Sequence, residues 1–140
     1  MKTPIILTLA FLNFGAAYAQ AMADKVIGTY LTNTKEGKIK IFKENNSYYS
    51  KILWRKDARK DSENPDEALR NNSVIGLVFL KDFVFNGKNL WSGGEVYSFD
   101  NGNTYSGKMW LEDEGQTLKM RGFLGISLLG RTATFTRSDE

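Results

Sequence analysis

The feature that most constrains the fold is a closing hairpin. Thr117 to Leu124 and Arg131 to Arg137 are two strand-like runs, joined by the apolar, glycine-framed tip Gly125-Ile126-Ser127-Leu128-Leu129-Gly130. In the first run Leu118, Met120, Gly122 and Leu124 alternate with Lys119, Arg121 and Phe123, the period-two pattern of a strand with one face inward. In the second, either Arg131, Ala133, Phe135 and Arg137 or the threonines 132, 134 and 136 face inward. An inward Arg131 needs a partner, because an unpaired buried guanidinium is too costly, and Glu95 or Asp66 can supply one. Such a hairpin closes a small β-barrel when its last strand pairs with the first, which removes the open edges. The greasy tip then reads as a plug for one barrel end, with contact to a partner as the alternative.

Six more β-rich runs precede the hairpin: Val26 to Asn33, Lys38 to Lys43, Tyr48 to Arg55, Val74 to Lys81, Leu90 to Tyr97 and Thr104 to Leu111. Short turns separate most of them. Asn101-Gly102 is the strongest hairpin signal, since both central residues of a type I′ turn need positive φ. The sequence therefore predicts an all-β fold, a single eight-stranded antiparallel up-and-down barrel. A sandwich is the competing architecture, because one connection, Lys56 to Ser73, is long. Within it Asn64-Pro65-Asp66-Glu67 marks a short helix, with Asn64 as N-cap, Pro65 at the first position and Asp66 facing Arg70. That helix either plugs a barrel end, covers the Val74 strand with Ala68 and Leu69, or forms a lid over a ligand.

The first residues belong to no strand. Lys2, the apolar run Pro4 to Phe14 and Ala17-Tyr18-Ala19 have the order of a signal peptide, so residues 1–19 are expected to be removed on export. Ala19-Gln20-Ala21 and Ala21-Met22-Ala23 are further cut sites, so the leader extends at most to residue 23 and the barrel domain spans 24–140. The apolar run is shorter than the about 20 residues of a membrane span. The expected location is the periplasm or the medium. Cysteine is absent, which suits a bacterial envelope protein held by packing alone.

Composition excludes several chemistries. With no histidine and no cysteine there is no Ser-His-Asp triad, no thiol nucleophile and no ordinary zinc or haem site; no metal and no cofactor are expected. The net charge is only +3 and the charges are interspersed, so no nucleic-acid footprint is present. A pair of carboxylates acting as in glycoside hydrolysis is the one catalytic reading left. Aromatic side chains with polar tips suit a ligand pocket, and those singled out are Tyr49, Trp54, Trp91, Tyr97 and Tyr105. Asn64, Asp66 and Arg70 of the long connection and Arg131 complete the candidate ligand-binding set. For all of these, core packing or rim placement is the competing account. The glycines inside strands, Gly76, Gly93, Gly94, Gly107 and Gly122, are read as bulges and bends.

One ordered set of motifs runs through the chain: Tyr48-Tyr49-Ser50-Lys51-Ile52, Asn64-Pro65-Asp66 with Leu69-Arg70, Gly76-Leu77, Gly93-Gly94, Gly102-Asn103-Thr104-Tyr105, and Met120 to Gly125 followed by Gly130-Arg131-Thr132. Together they resemble the exported bacterial family known as domain of unknown function 2147. The resemblance implies a lipocalin-like barrel in the envelope and does not imply an activity. Ser50 stands where that family usually has glycine, Ser98-Phe99 where it has Asp-Pro, and Phe135 where it has tryptophan. The leading expectation is a non-enzymatic binder of a small apolar or amphipathic ligand. The alternative is a solid barrel acting as a protein–protein interaction module or homodimer. A cavity of roughly 300 Å³ or more lined by several of the named aromatics would favour the ligand, while a filled interior would sink that idea.

Overall fold

The computed structural model of the protein describes residues 5–127 and 129–138, with side chains from Phe14 onward. A helix, α1 (Ile5–Ala23), leads into eight strands: β1 (Gly28–Thr32), β2 (Gly37–Glu44), β3 (Ser47–Arg55), β4 (Val78–Phe85), β5 (Trp91–Tyr97), β6 (Thr104–Glu112), β7 (Thr117–Phe123) and β8 (Gly130–Ser138). Each strand pairs antiparallel with the next, and β8 returns to β1 in the register Tyr30↔Arg137 and Thr32↔Phe135. The barrel is closed. Among the described residues no helix is long and apolar enough to cross a membrane.

Register settles which face of β8 is inward. Leu118 lies opposite Phe135, Met120 opposite Ala133 and Gly122 opposite Arg131, so the threonines face out. Tyr30, Ile41, Tyr48, Leu80, Phe83, Trp91, Met109 and Leu118 fill the barrel from its floor through its midsection and are essentially fully buried. Burial of that kind stabilises by about 1.5–3 kcal/mol for each large side chain. Two residues at positive φ, Asp82 in β4 and Gly93 in β5, set the bulges that keep Phe83 and Trp91 pointing inward. The Phe83 ring then lies directly on Gly94 and Gly107, where a Cβ would overlap it. Ser50 is also fully buried, and its hydroxyl has no hydrogen-bond partner among the described residues.

Three local expectations are corrected. The fourth strand begins at Val78 rather than Val74: the Val74 amide bonds to Arg59 O, and Gly76 at φ +86° turns the chain before Val78 pairs with Lys51. In the β5–β6 turn only Gly102 has positive φ, so Asn101-Gly102 is not a type I′ turn. Asn101 serves instead through its side chain, accepting from Asn103 N and donating to the Tyr105 hydroxyl. The short helix is one 3₁₀ turn, Glu67–Leu69, capped by Asp66, whose carboxylate accepts from Ala68 N at 3.0 Å. Asn64 sits two residues earlier, its side-chain oxygen accepting from Asp66 N, and Arg70 turns to Asn64 O rather than to Asp66.

One end of the barrel is sealed by the chain just ahead of β1. Ala23 and Val26 are buried there, and the Trp91 indole donates to Ala23 O at 3.0 Å. The Tyr30 hydroxyl donates to Val26 O at 2.8 Å, and the Tyr48 hydroxyl to the Asp24 carboxylate at 2.7 Å. Arg137 stacks 4.8 Å from the Tyr30 ring centre and donates to Gly115 O, Lys25 O and Ile27 O. Burial pulls the Asp24 carboxyl upward, but hydrogen bonds from Tyr48, Gln20 and Lys43 outweigh it and hold it below the usual range.

Burial pushes the Tyr30 phenol up to about 12, against the opposing pull of Arg137. Tyr97 also reaches about 12, through burial and then its bond to Asp61. For both, the folded state holds its proton over a range where the unfolded phenol, with a pKa near 10, has lost it. Their contribution is therefore complete below about pH 10 and is lost as pH rises towards 12. Urea midpoints measured between pH 8 and 11.5 are expected to fall above pH 10, and Tyr30→Phe to make that fall shallower.

Candidate functional site

The β1–β2, β3–β4, β5–β6 and β7–β8 connections gather at the end opposite the sealed floor. The inward rows explain why this end is hollow. Along β7 they run Leu118, Met120, Gly122 from floor to mouth, and along β8 Phe135, Ala133, Arg131. Large side chains give way to glycine and alanine, so the filled midsection opens into a cleft of about 830 Å³. Tyr105, Phe123, Leu124, Leu129, Ala133 and Arg131 supply its walls. The size meets the expectation for a ligand cavity, but Tyr105 alone of the five named aromatics lines it.

Arg131 is exposed at the rim, on the inward face opposite Gly122. Among the described residues it makes no ion pair. Neither Glu95 nor Asp66 is its partner: Glu95 lies opposite Lys81 in the β4–β5 register, and Asp66 caps the 3₁₀ turn. Rim placement removes the need, since water solvates the guanidinium. Beside the cleft, Arg55 and Arg59 flank the Phe99 ring at 4.8 and 4.7 Å, and Arg59 also pairs with Asp100.

The hairpin tip is not a plug. Leu124, Ile126 and Leu129 are 61%, 57% and 70% exposed, while Leu128 lies outside the described residues. The tip is held instead by Arg121, which donates to Ser127 O at 2.6 Å and to Thr132 Oγ1 at 2.9 Å. The end that is sealed is the opposite one, and chain N-terminal to β1 seals it. Because Leu129 buries little, Leu129→Asp is expected to shift unfolding free energy by less than about 0.5 kcal/mol in a urea titration.

The long connection forms no lid over the cleft. Asp61 is buried and accepts from the Tyr97 hydroxyl at 2.7 Å and the Asn64 amide at 2.8 Å, which pins the segment to the outer face of β5. Gly102 packs against the Glu63 backbone, where a Cβ would collide. A groove of about 220 Å³ remains between Pro65, Leu69, Phe79 and Tyr97. At the floor, a third depression of about 650 Å³ is walled by apolar Met22, Phe85, Trp91 and Leu111 and by charged Lys25, Glu112, Asp113, Glu114 and Arg137, the last held by the Gly115, Lys25 and Ile27 carbonyls.

The nine candidate residues therefore do not converge. Tyr105 and Arg131 line the mouth; Trp91 belongs to the floor. Asn64, Asp66, Arg70 and Tyr97 organise the long connection. Tyr49 stacks on Phe42 at 5.7 Å and donates to Asp82, a bond that raises its pKa, and Trp54 lies opposite Lys38 at 47% exposure. Sequence reasoning missed Phe123, Leu124, Leu129 and Ala133. The large-to-small gradient along the two inward rows was the signal for Ala133; Phe123, on the other face of β7, and Leu124 and Leu129 of the tip carry no such mark.

Comparison with known proteins follows the same lines. A family model described as an uncharacterized protein conserved in bacteria, DUF2147, matches residues 28–137. The chain belongs to DUF2147. This DUF2147 barrel is also similar to a solved structure from Helicobacter pylori, a protein described as belonging to the lipocalin family. The two share 31% identity over 81% of this chain and 84% of that one, with a TM-score of 0.73. The DUF2147 fold is thus lipocalin-like, as its eight antiparallel strands indicate. No curated protein matches the chain.

Proposed function

We propose that this DUF2147 protein is exported to the bacterial envelope, where it binds a small amphipathic molecule at the open mouth of its barrel and catalyses no reaction. The cleft of about 830 Å³ carries the reading: it joins an apolar wall of Phe123, Leu124 and Leu129 to one rim guanidinium, Arg131. An apolar body lying on the wall and a negative group reaching Arg131 match those two chemistries. The lipocalin-family neighbour supports a binder, and the filled midsection confines the ligand to the outer half of the barrel. Export is supported by the order Lys2, Pro4 to Phe14, Ala17-Tyr18-Ala19. The absence of histidine and cysteine supports a non-enzymatic role.

Two fluorescent probes test the site: the anionic dye 8-anilinonaphthalene-1-sulfonate and the uncharged N-phenyl-1-naphthylamine. Arg131→Glu is expected to weaken the anionic dye roughly tenfold, the loss of one exposed pair plus repulsion, and to leave the neutral dye unchanged. Leu129→Asp is expected to weaken both. Equal binding of both dyes to all three proteins would remove the mouth as the site. The exposed tip, Leu124, Ile126 and Leu129, favours a second reading, contact with a protein partner or a second copy. Sedimentation equilibrium distinguishes it, since a dimer abolished by Leu129→Asp would assign the tip to an interface.

A further inference from the structure

We infer that the mouth end of the barrel docks on a phospholipid bilayer with an anionic surface. Leu124, Ile126 and Leu129 enter the layer between headgroups and acyl chains, and Arg121 and Arg131 lie at the level of the phosphates. The inference rests on the export reading above only in naming that bilayer as one of the envelope, and it does not depend on the mouth holding a ligand.

Apolar exposure is concentrated at one place. Of the large apolar side chains on the barrel, the three most exposed among the described residues are Leu124, Ile126 and Leu129, all on the β7–β8 tip. Water is a poor environment for three such side chains held together. A protein partner or a second copy would need more than this tip, since a stable interface takes about 800 Å² from each side. A bilayer asks for less, because an apolar element has only to sink about 5–10 Å into the interface.

Charge points the same way. The residues between Arg121 and Arg131 carry no charge, and the two arginines lie beneath the tip on opposite faces of the hairpin, Arg131 on the inward row and Arg121 on the outer wall. Asp100, which lines the cleft, pairs with Arg59, and Asp57 and Glu36 at the same end pair with Arg55 and Lys56. An approaching surface therefore meets an apolar tip backed by cations, and phosphate is the group that complements it. Two copies joined tip to tip would instead bring like charges together, which is costly.

Backbone groups entering lipid must be satisfied within the protein. The tip does much of this itself: the Leu124, Ile126 and Leu129 amides donate to Leu129 O, Leu124 O and Ile126 O at 3.4, 2.9 and 3.0 Å, and Ser127 O accepts from Arg121. A tip built to receive a partner's strand would hold those groups open. Docked this way, the cleft faces the bilayer and the sealed floor faces away from it.

The chain has no cysteine, so one introduced thiol can carry a reporter. Ser127→Cys at the tip and Lys88→Cys in the β4–β5 turn at the floor are labelled with the environment-sensitive dye nitrobenzoxadiazole. Both full-length chains are mixed with vesicles of phosphatidylethanolamine and phosphatidylglycerol, or of phosphatidylcholine alone. On phosphatidylglycerol vesicles the tip reporter is expected to brighten and shift to the blue, more weakly on phosphatidylcholine, while the floor reporter stays unchanged. Adding Leu129→Asp is expected to raise the lipid concentration required roughly tenfold. An unchanged tip reporter overturns the docking, and a response at the floor alone assigns membrane binding to the leader helix, which joins the barrel at that end. Brightening that needs no vesicles and grows with protein concentration assigns the tip to a second copy and also overturns it. The two dyes proposed above for the mouth are titrated without vesicles, so failure of either reading leaves the other standing.

Discussion

Replacing Trp91 by alanine is expected to remove about 4 kcal/mol of unfolding free energy and to lower the thermal midpoint by roughly 10–20 °C. Trp91 is 1% exposed, lies 4.8 Å from the Phe85 ring centre, meets Tyr48 edge-on at 6.5 Å and hydrogen-bonds the floor at Ala23. Three losses coincide in this one truncation. The apolar area of the ring returns to water or leaves a void, two aromatic contacts disappear, and the Ala23 carbonyl loses its donor. Trp91→Phe separates them, since it keeps most of the ring and gives up the donor, and about 1–2 kcal/mol is expected for it. Urea titrations followed by the fluorescence of Trp54 and Trp110 measure both variants, with an unchanged slope confirming two-state behaviour. A loss under about 1.5 kcal/mol for the alanine variant would mean that the floor is not packed as described.

Gly94→Ala is expected to cost about 2–4 kcal/mol although it adds only a methyl group. The new Cβ would meet the Phe83 ring on one side and the Lys81 carbonyl on the other, and the second is backbone in a paired strand that cannot step aside. Phe83 itself is fully buried, so its ring has little room to retreat. Combining Gly94→Ala with Phe83→Leu tests the cause. If the clash with the ring is the main term, the double variant is more stable than the sum of its parts by about 1 kcal/mol or more. Gly122→Ala is the control, because its methyl would lie 3.7 Å from Tyr105 Cβ, an ordinary contact, and should change stability by less than about 0.5 kcal/mol.

These two residues also mark where sequence reading stops. Alternation in Thr117 to Leu124 identified the inward side of β7, and the same signal counted eight strands in their spatial order, because each hairpin is a local pairing. Val74 misled it. An apolar residue in a run of apolar residues looks like strand, yet Val74 is buried by the long connection itself, and the turn at Gly76 comes before the pairing of β4 begins. The candidate site scattered for a related reason. Tyr49, Tyr97 and Trp91 share chemistry, but period two says only that neighbours face opposite ways; it carries no information about height along the barrel axis. Trp91 is at the floor, Tyr97 on the outer wall and Tyr105 at the mouth.

By itself, then, the chain's alternating pattern and turn residues determined eight antiparallel strands and their order, since strands adjacent in the sheet are successive in sequence; closure joins β8 to β1 across the length of the chain, where Tyr30 meets Arg137. Which end is sealed, where the cleft lies and what the hairpin tip does were decided only by tertiary structure. Each depends on side chains far apart in sequence meeting at one level of the barrel, as Trp91 meets Ala23 and Gly122 faces Arg131, and no local pattern encodes such meetings.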